Sequence, residues 1–398
     1  MSEAAFYYDI VCPYAYMAFK FLSNAGVFKN NKLELKPILL GGLFKHMNSD
    51  VDPNKNMSPS KLSYLKDDIA RKAEYFSVPL QFHKRHPVKT VSAMRLIHAT
   101  SGALREQLTE RLYRAYWQEN LDIDEESVID ALADEFGLGG RPLWLEKAKA
   151  DLMLATKEAF EQKVFGVPTI ELNQRLYFGS DRLAFIAKDL GLKLPDAPWQ
   201  PSGEVIDFYF DFSSPYSYLA WAEVKKAQIA GVRFNLIPIL LGALFKDVGM
   251  VNIPLLSAHT NKIEYYFQDM RDWAAQRDVP FQFSAHFPLR SVTALRIALF
   301  EPHAIDALWS AAWAHNQNLS DMDVLSEVLA QAGFDAQKLL LATQDDAIKA
   351  KLKENTEEAF KRGVFGVPSF FVGGQLFFGQ DQFSRMRIRL SQLSKHAS

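Results

Sequence analysis

The strongest constraint on the fold is a sequence pattern that the chain carries twice. Residues 6–16 (FYYDIVCPYAY) return as residues 208–218 (FYFDFSSPYSY). The segment FGVP also occurs in both halves of the chain. The offset is 202 residues from Cys12 to Ser214 and 200 residues from Phe165 to Phe365, so the register holds across each half. A repeat of this length indicates duplication of a whole domain, because solenoid repeats have periods of about 20–50 residues.

The repeat predicts two domains of similar size. At 398 residues the chain is longer than one hydrophobic core usually supports. We expect a first domain at residues 1–194 and a second at residues 205–398, joined by a linker at residues 195–204. The linker is expected to be stiff because it is rich in proline: it contains Pro195, Pro198, Pro201 and Gly203.

Charge and hydropathy exclude several classes of protein. The formal net charge of -2 at pH 7 gives no electrostatic reason to expect nucleic acid or an anionic membrane as a partner. No apolar run reaches the ~18 residues of a membrane span, and residues 1–5 lack the basic start of a signal peptide. We therefore expect a cytoplasmic protein. Because Cys12 is the single cysteine, an intramolecular disulfide and a dithiol redox cycle are excluded.

Both halves show the same order of predicted elements, which indicates an α/β fold. Short runs of β-branched and aromatic residues predict two strands in each half: residues 4–11 and 33–40, and residues 205–213 and 233–241. A helix is expected between the strands, because Pro13 and Pro215 suit a helix's first turn. Helical insertions are predicted at about residues 55–155 and 255–355. Each half then ends in a hairpin and a last helix.

Cys12 and Ser214 occupy the position between the first strand and the following helix. A side chain there lies over the helix N-terminus, where unpaired N–H groups and the helix dipole stabilise an anion. For Cys12 this predicts a lowered pKa and a thiolate. For Ser214 it predicts a hydroxyl that donates a hydrogen bond to a ligand's thiolate. The structural alternative is a small buried hydrophobic residue at Cys12 and a helix cap at Ser214.

Two Val-Pro pairs recur later in the halves, at Val167-Pro168 and Val367-Pro368. Such a bond facing an active site is often cis, which would leave the valine N–H and C=O available to an extended peptide ligand. The alternative is an ordinary turn.

The segments Gly179-Ser180-Asp181 and Gly379-Gln380-Asp381 open the predicted last helices. Ser180 is expected to cap its helix while backbone N–H groups bind a carboxylate. Asp181 or Asp381 would take a ligand's ammonium, so the motif suits an amino-acid head group. The alternative is a plain capping motif.

The ordered set of motifs resembles the DsbA-like branch of the thioredoxin superfamily, specifically the kappa-class glutathione transferases and bacterial 2-hydroxychromene-2-carboxylate isomerases. Residues 214–218 (SPYSY) are similar to that family's signature, whose first serine holds the glutathione thiolate. The resemblance covers essentially the whole chain, because each half matches the family pattern once. It implies two tandem thioredoxin-like, DsbA-type domains, each with a helical insertion, and glutathione as the cofactor.

The resemblance also implies roles for further residues. Residues 178–182 (FGSDR) are similar to the kappa-class glutathione clamp, and residues 378–381 (FGQD) look more like the isomerases. The family's substrate-contacting lysine corresponds to Lys246 and Lys45. The glutathione-binding set would be Val167, Pro168, Ser180, Asp181, Val367, Pro368, Gln380 and Asp381.

The chain departs from the family pattern in both halves. The family's Gly-Asn after that lysine is replaced by Asn48-Ser49 and by Gly249-Met250. Cys12 stands in Cys-Pro-Tyr-Ala, which is the oxidoreductase Cys-Pro-x-Cys motif without its resolving cysteine. The two pockets are therefore expected to have diverged.

Three functions follow as hypotheses. The leading one is a glutathione-dependent isomerase or transferase acting on an apolar, aromatic electrophile, with Ser214 at the thiolate and Lys246 at the substrate's carboxylate. The first alternative is a monothiol thiol–disulfide oxidoreductase in which Cys12 exchanges with glutathione disulfides. The second alternative is a glutathione-binding protein without catalysis.

Two expectations concern partners and metals. Single-domain members of the resembled family commonly form homodimers, so the fusion would be an intramolecular pseudo-dimer, and whether it dimerises again stays open. His83 and His86 lack acidic or thiol ligands at matching spacing, so we expect solvated side chains and no metal.

Overall fold

The computed structural model of the protein describes residues 4–49, 55, 57–249 and 257–397. The chain divides into two compact units. The first unit comprises Met1–Lys55 and Lys66–Pro195, and the second comprises Asn56–Leu65 and Asp196–Ser398. The second unit therefore includes a short segment from the first half of the sequence.

The first unit contains a four-stranded mixed sheet with the order β2-β1-β3-β4. Its strands are β1 (Ala5–Tyr8), β2 (Glu34–Pro37), β3 (Thr169–Leu172) and β4 (Arg175–Phe178). β1 runs parallel to β2 and antiparallel to β3, and Phe6 pairs with Leu35 on one side and with Ile170 on the other. The hairpin from β3 to β4 turns through Asn173 and Gln174, which both have a positive φ as a two-residue hairpin turn requires.

Among the described residues of the first half of the sequence, eight α-helices begin. They are α1 (Pro13–Asn24), α2 (Leu40–His46), α3 (Pro59–Tyr75), α4 (Val91–His98), α5 (Gly102–Trp117), α6 (Glu126–Glu135), α7 (Leu145–Glu161) and α8 (Leu183–Leu190). Helices α3 to α7 form the predicted insertion between β2 and β3. The first residues of α3, up to Leu65, belong to the second unit.

The second unit repeats this topology, with the strand order β6-β5-β7-β8. Its strands are β5 (Val205–Phe210), β6 (Arg233–Pro238), β7 (Ser369–Val372) and β8 (Gln375–Phe378). Its helices are α9 (Pro215–Ile229), α10 (Leu241–Asp247), α11 (Thr260–Arg277), α12 (Val292–Phe300), α13 (Ile305–Trp313), α14 (Met322–Gln331), α15 (Ala336–Ala342), α16 (Asp346–Lys361) and α17 (Phe383–Ala397). The predicted α/β class and order of elements are confirmed in both units.

The short helices α2 and α10 were not predicted, because their first N–H groups are satisfied by residues distant in sequence. The residues before them, Leu39 and Leu240, have no side-chain acceptor with which to cap a helix. Instead the carboxylate of Asp9 accepts from Leu40 N at 2.8 Å, and that of Asp211 accepts from Leu241 N at 2.8 Å. Burial raises the pKa of both carboxyls, while these N–H groups act in the opposite direction.

Tryptophans of the insertions fix the loops that follow the central strands. The Trp117 indole donates to Ile10 O at 2.8 Å, and the Trp313 indole donates to Phe212 O at 2.8 Å. Both tryptophans are fully buried. Each insertion is therefore tied to the loop that leads into α1 or α9.

The packing around His83 and His86 differs from the solvated side chains that the sequence predicts. His83 is buried and stacks on Tyr116, and its Nε2 lies 3.2 Å from an oxygen of Asp122. His86 is half-buried and shares a hydrogen bond with the Tyr116 hydroxyl. The prediction of solvated histidines is therefore wrong, since both rings pack on insertion aromatics. In the described ranges no three His, Cys, Asp or Glu side chains are grouped to hold a metal.

None of the helices in the described ranges combines the length and the apolar character needed to cross a bilayer.

Candidate functional site

In each unit the residue before the first long helix faces the Val-Pro segment. Cys12 Sγ donates to Val167 O at 3.2 Å, and Ser214 Oγ donates to Val367 O at 3.3 Å. The peptide bonds Val167–Pro168 and Val367–Pro368 are cis. Two further cis bonds, His86–Pro87 and Phe287–Pro288, were not predicted. The structure thus brings the residue before the helix together with the Val-Pro segment in each unit. The valine carbonyls accept hydrogen bonds from Cys12 and Ser214.

The Val-Pro segment of the second unit is anchored through the valine side chain. Val367 is buried in a cluster with Tyr209, Leu244 and Phe371. Gly366, the residue before it, packs so closely on Phe378 that an added Cβ would lie 2.9 Å from the ring. This contact explains why FGVP and the later phenylalanine recur together, since only glycine leaves room for the ring.

The Ser214 hydroxyl both accepts and donates a hydrogen bond within the second unit. It is the N-cap of α9, where its hydroxyl oxygen accepts from Ser217 N at 3.2 Å. Its proton is donated to Val367 O over the long distance of 3.3 Å. Rotation about the side-chain torsion would redirect this proton to a ligand atom above the helix N-terminus, because hydroxyl hydrogens rotate freely.

Cys12 does not behave as the sequence predicts. Burial raises its pKa from 9.0 to about 12, and the N–H groups of Ala15 and Tyr14 only partly oppose this effect. The prediction of a lowered pKa is therefore wrong, because desolvation of the thiolate outweighs the helix N-terminus. The structural alternative, a small buried residue, describes Cys12 better.

Cys12 is accordingly expected to alkylate slowly in the folded protein. A pKa of about 12 in place of 9.0 leaves a thiolate fraction roughly a thousandfold smaller at neutral pH. Mass spectrometry of iodoacetamide-treated protein at about pH 8 should show alkylation at least ~100-fold slower than in guanidinium-unfolded protein. The rate in the folded protein should keep rising beyond about pH 10. A rate that levels near pH 9 and equals that of the unfolded chain would contradict the buried thiol.

The third motif returns to the Val-Pro segment through its glycine. Gly179 N donates to Pro168 O, and Gly379 N donates to Pro368 O, both at 2.9 Å. The two glycines have φ values of 95° and 111°, in the region that favours glycine. Ser180 and Gln380 therefore directly follow glycines that hydrogen-bond to the cis prolines.

Ser180 and Gln380 both bury a polar atom that has no hydrogen-bond partner among the described residues. These atoms are Ser180 Oγ and Gln380 Oε1, in side chains that are 3% and 2% exposed. The predicted capping role of Ser180 is wrong, because a 3-10 turn over Ser180–Arg182 precedes α8 and no side chain caps either element. Buried polar atoms are normally paired. Ser180 and Gln380 stand at equivalent positions of the repeat, so both units share this feature.

The two predicted head-group aspartates have different surroundings. Asp181 Oδ2 lies 3.0 Å from Nζ of Lys72, a residue that the sequence analysis did not consider. Asp381 Oδ1 accepts from Gln382 Nε2 at 3.0 Å. Both aspartates thus have partners within the chain.

A buried arginine holds the head-group segment of the second unit. Arg277 is 6% exposed and donates to the backbone oxygens of Leu219 and Gln380. Its guanidinium also lies 4.7 Å from the ring of Trp273. Sequence reasoning missed Arg277. A comparison of the two halves could have drawn attention to it, because Phe76 stands at the equivalent position of the first half.

Tyr64, from the short segment of the second unit, supports the same motif. Its hydroxyl accepts from Phe378 N at 3.1 Å, and its ring packs on Phe365 with centroids 5.4 Å apart. Tyr64 therefore comes from the first half of the sequence but contacts Phe365 and Phe378 of the second half. Alignment of the two repeats does not predict this contact.

The predicted substrate lysines lie apart from these contacts. Lys45 and Lys246 are exposed in the last turns of α2 and α10, beyond the ends of the second strands. Their role stays a prediction.

Two α/β units, each with a helix N-terminus facing a cis-proline segment, define a tandem protein of the thioredoxin type. The chain belongs to the family of DSBA-like thioredoxin domains, whose model matches residues 4–191 and again residues 205–391. The predicted resemblance and fold class are confirmed.

Similar proteins correspond to about half of the chain each. Glutathione S-transferase kappa 1 of Rattus norvegicus is 29% identical over 206 residues, which cover 47% of this chain and 90% of the relative. A 2-hydroxychromene-2-carboxylate isomerase of Sphingobium xenophagum is 29% identical over 184 residues, covering 45% of this chain and 94% of the relative. A solved structure of such an isomerase has 24% identity and a TM-score of 0.45, and covers 49% of this chain and 98% of that one.

Proposed function

We propose that this protein is a glutathione-dependent isomerase or transferase whose working site lies in the second unit. The observation that carries the proposal is the Ser214 hydroxyl at the N-terminus of α9, opposite Val367. Relatives named as kappa-class glutathione transferases and 2-hydroxychromene-2-carboxylate isomerases support the same class of chemistry. The substrate class is an apolar, aromatic electrophile that carries a carboxylate.

The second unit has groups that suit each part of glutathione. Val367 would pair with the cysteinyl backbone beside Pro368. The unpaired Gln380 Oε1 would accept from the γ-glutamyl head group, and the half-buried Asp381 would meet its ammonium. The N–H groups at the start of α17 would face the head group's carboxylate.

The chemistry assigned to the residues of this unit is electrostatic. Bound glutathione would supply a thiolate, a nucleophile for the activated double bond of the substrate. Ser214 would turn its proton from Val367 O to the sulfur anion, and the positive end of α9 would favour the same charge. Lys246 would attract the substrate's carboxylate through its exposed ammonium. Because these residues exchange no electrons with the substrate, the proposed chemistry has no net redox change when the outcome is isomerisation.

Burial of Cys12 argues against the oxidoreductase alternative. A thiol must ionise to exchange with a disulfide, and burial raises the pKa of Cys12 to about 12. We therefore do not assign this chain a redox function.

The proposal is tested by replacing the thiol of glutathione. Turnover of 2-hydroxychromene-2-carboxylate, followed by absorbance, is expected with glutathione and absent with S-methylglutathione, which keeps the head group but has no nucleophile. An aromatic halide with glutathione tests the transferase reaction in parallel. Calorimetric binding of glutathione with no turnover of either substrate would indicate the non-catalytic alternative. Reduction of a glutathione mixed disulfide that depends on Cys12 would contradict the proposal.

A further inference from the structure

Arg277 is a buried arginine that connects two elements of the proposed glutathione site. It is the last residue of α11 and is 6% exposed. Its Nη1 donates to Leu219 O of α9 at 2.8 Å, and its Nη2 donates to Gln380 O of the head-group segment, Gly379–Gln380–Asp381. Because the two donors belong to one rigid, planar group, the guanidinium holds α9 and the head-group segment at a fixed separation.

Two aromatic rings restrict the orientation of the guanidinium. It lies 4.7 Å from the ring centroid of Trp273, one turn earlier on α11, and 5.5 Å from that of Phe383, the first residue of α17. Both rings are buried. Moving the guanidinium would give up these cation–π contacts together with its two hydrogen bonds, so the side chain is fixed where it lies.

A second link fixes the head-group segment from another side. Gly379 N donates to Pro368 O at 2.9 Å. Pro368 follows Val367, whose carbonyl accepts from Ser214. The segment is therefore attached to the cis-proline segment through Gly379 and to α9 through Arg277. Since α9 begins directly after Ser214, both attachments relate the head-group segment to the same hydroxyl.

We propose that Arg277 is a positioning residue for glutathione, which sets the head-group segment at the distance from α9 that the tripeptide spans. This inference rests on the proposed function, in which the thiolate lies at Ser214 and the γ-glutamyl group at Gln380 and Asp381. A ligand held at both ends needs both parts of its site in place, and a displacement of about 1 Å can cost about 10²-fold. The inference concerns the backbone of the segment and does not depend on which partners the Asp381 carboxylate has.

The equivalent residue of the first unit cannot make this link. The offset of 201 residues between Pro79 and Pro280 aligns Arg277 with Phe76. Phe76 is buried, and its ring packs on that of Phe21 in α1 with centroids 5.2 Å apart. A phenylalanine side chain has no hydrogen-bond donor, so a guanidinium link from this position belongs to the second unit. This difference agrees with a working site in the second unit.

The test compares two ligands of the full-length protein: glutathione, and cysteinylglycine, which lacks the γ-glutamyl group. Arg277→Met should raise the dissociation constant of glutathione about 10–100-fold in calorimetry, because the head-group segment loses its link to α9. The dissociation constant of cysteinylglycine should change by less than about threefold, since this ligand would not reach the segment. In turnover, KM for glutathione should rise while kcat at saturating glutathione is kept within about threefold. A residue that only stabilised the fold would change the affinity for both ligands alike.

Arg387→Met is the matched control. Arg387 also lies near a tryptophan of the second unit, 5.4 Å from the ring centroid of Trp199, and its hydrogen bonds go to Asp196 and Ser384. Its loss removes comparable contacts, and both dissociation constants should stay unchanged. Arg277→Lys keeps the charge, but one ammonium does not reproduce the planar fork, so its loss of glutathione affinity should be intermediate.

Each result decides the inference. Equal losses of affinity for both ligands in Arg277→Met, or no loss for either, would overturn it and leave the proposed function standing. If circular dichroism shows the methionine variant to be unfolded, Arg277→Lys is judged by the same comparison.

A measurement on the unmodified protein serves if neither variant folds. Slow hydrogen exchange of residues 379–381 before glutathione is added would support the inference, and protection that appears only with glutathione would overturn it. Glutathione binding that follows the expected pattern without any turnover would overturn the proposed function alone. No binding of glutathione to the unmodified protein would overturn both.

Discussion

Replacement of Ser214 by alanine is expected to lower glutathione-dependent turnover by about 10²–10³-fold. The alanine removes the proton that Ser214 donates toward Val367 O in the structure and would give to a thiolate. It leaves the helix dipole and the remaining N–H groups, so the loss should be partial. The measurement is kcat at saturating glutathione, together with the pH at which bound glutathione ionises, which should rise because the anion loses a donor.

A stability measurement separates this effect from damage to the helix. Ser214 also caps α9 through Ser217 N, and losing a serine cap costs about 1 kcal/mol. Ser214→Thr should keep the cap and a hydroxyl, and should retain more turnover than alanine. The discriminating partner is Cys12→Ser, which we expect to change turnover by less than about twofold, since the thiol is buried and protonated at neutral pH. A harmless Ser214→Ala beside an inactive Cys12→Ser would reverse the assignment and favour the redox alternative.

Loss of the Trp313 side chain is expected to have the largest effect on stability. Trp313→Ala should lower the free energy of unfolding by about 3–5 kcal/mol, because it empties a fully buried position. Trp313→Phe should cost less, about 1–3 kcal/mol, mainly because Phe212 O would lose the indole N–H that lies 2.8 Å away. Urea unfolding followed by circular dichroism measures both values.

The position of Trp313 also predicts a functional difference between the halves. Phe212 is two residues before Ser214, so a loosened loop should lower turnover in Trp313→Phe beyond the loss of stability. Trp117→Phe is the matched control, because Trp117 makes the same 2.8 Å bond to Ile10 O in the first unit. That variant should be destabilised by a similar amount and should keep its turnover. Equal losses of turnover in both variants would contradict a working site confined to the second unit.

Local sequence patterns were enough to predict the duplicated architecture. Strand residues such as Phe6 and Phe208 are apolar over short runs, and the hairpin turns at Gly373 and Gly374 have the positive φ that glycine favours. The repeat also predicted that the Val-Pro segments occupy equivalent positions in the two units, and each faces the residue before the first long helix. These features depend on residues close together in the chain, so they can be predicted from a single sequence.

Features that depend on residues distant in sequence were missed or predicted incorrectly. The helices α2 and α10 need Asp9 and Asp211, which follow the central strands. Ser180 stands in a capping sequence, yet a 3-10 turn begins there and its hydroxyl caps nothing.

The sequence by itself determined that this chain is two thioredoxin-type domains in tandem, with Cys12 and Ser214 at equivalent positions. Only the tertiary structure decided what those positions can do. Each residue stands at the N-terminus of the first long helix of its own unit, but burial makes the Cys12 thiol hard to ionise. Ion pairing is also a matter of three-dimensional placement, and Lys72 reaches Asp181 from a helix 109 residues away in sequence. Desolvation and charge pairing depend on what surrounds a group in space, and the order of residues along the chain does not contain that information directly.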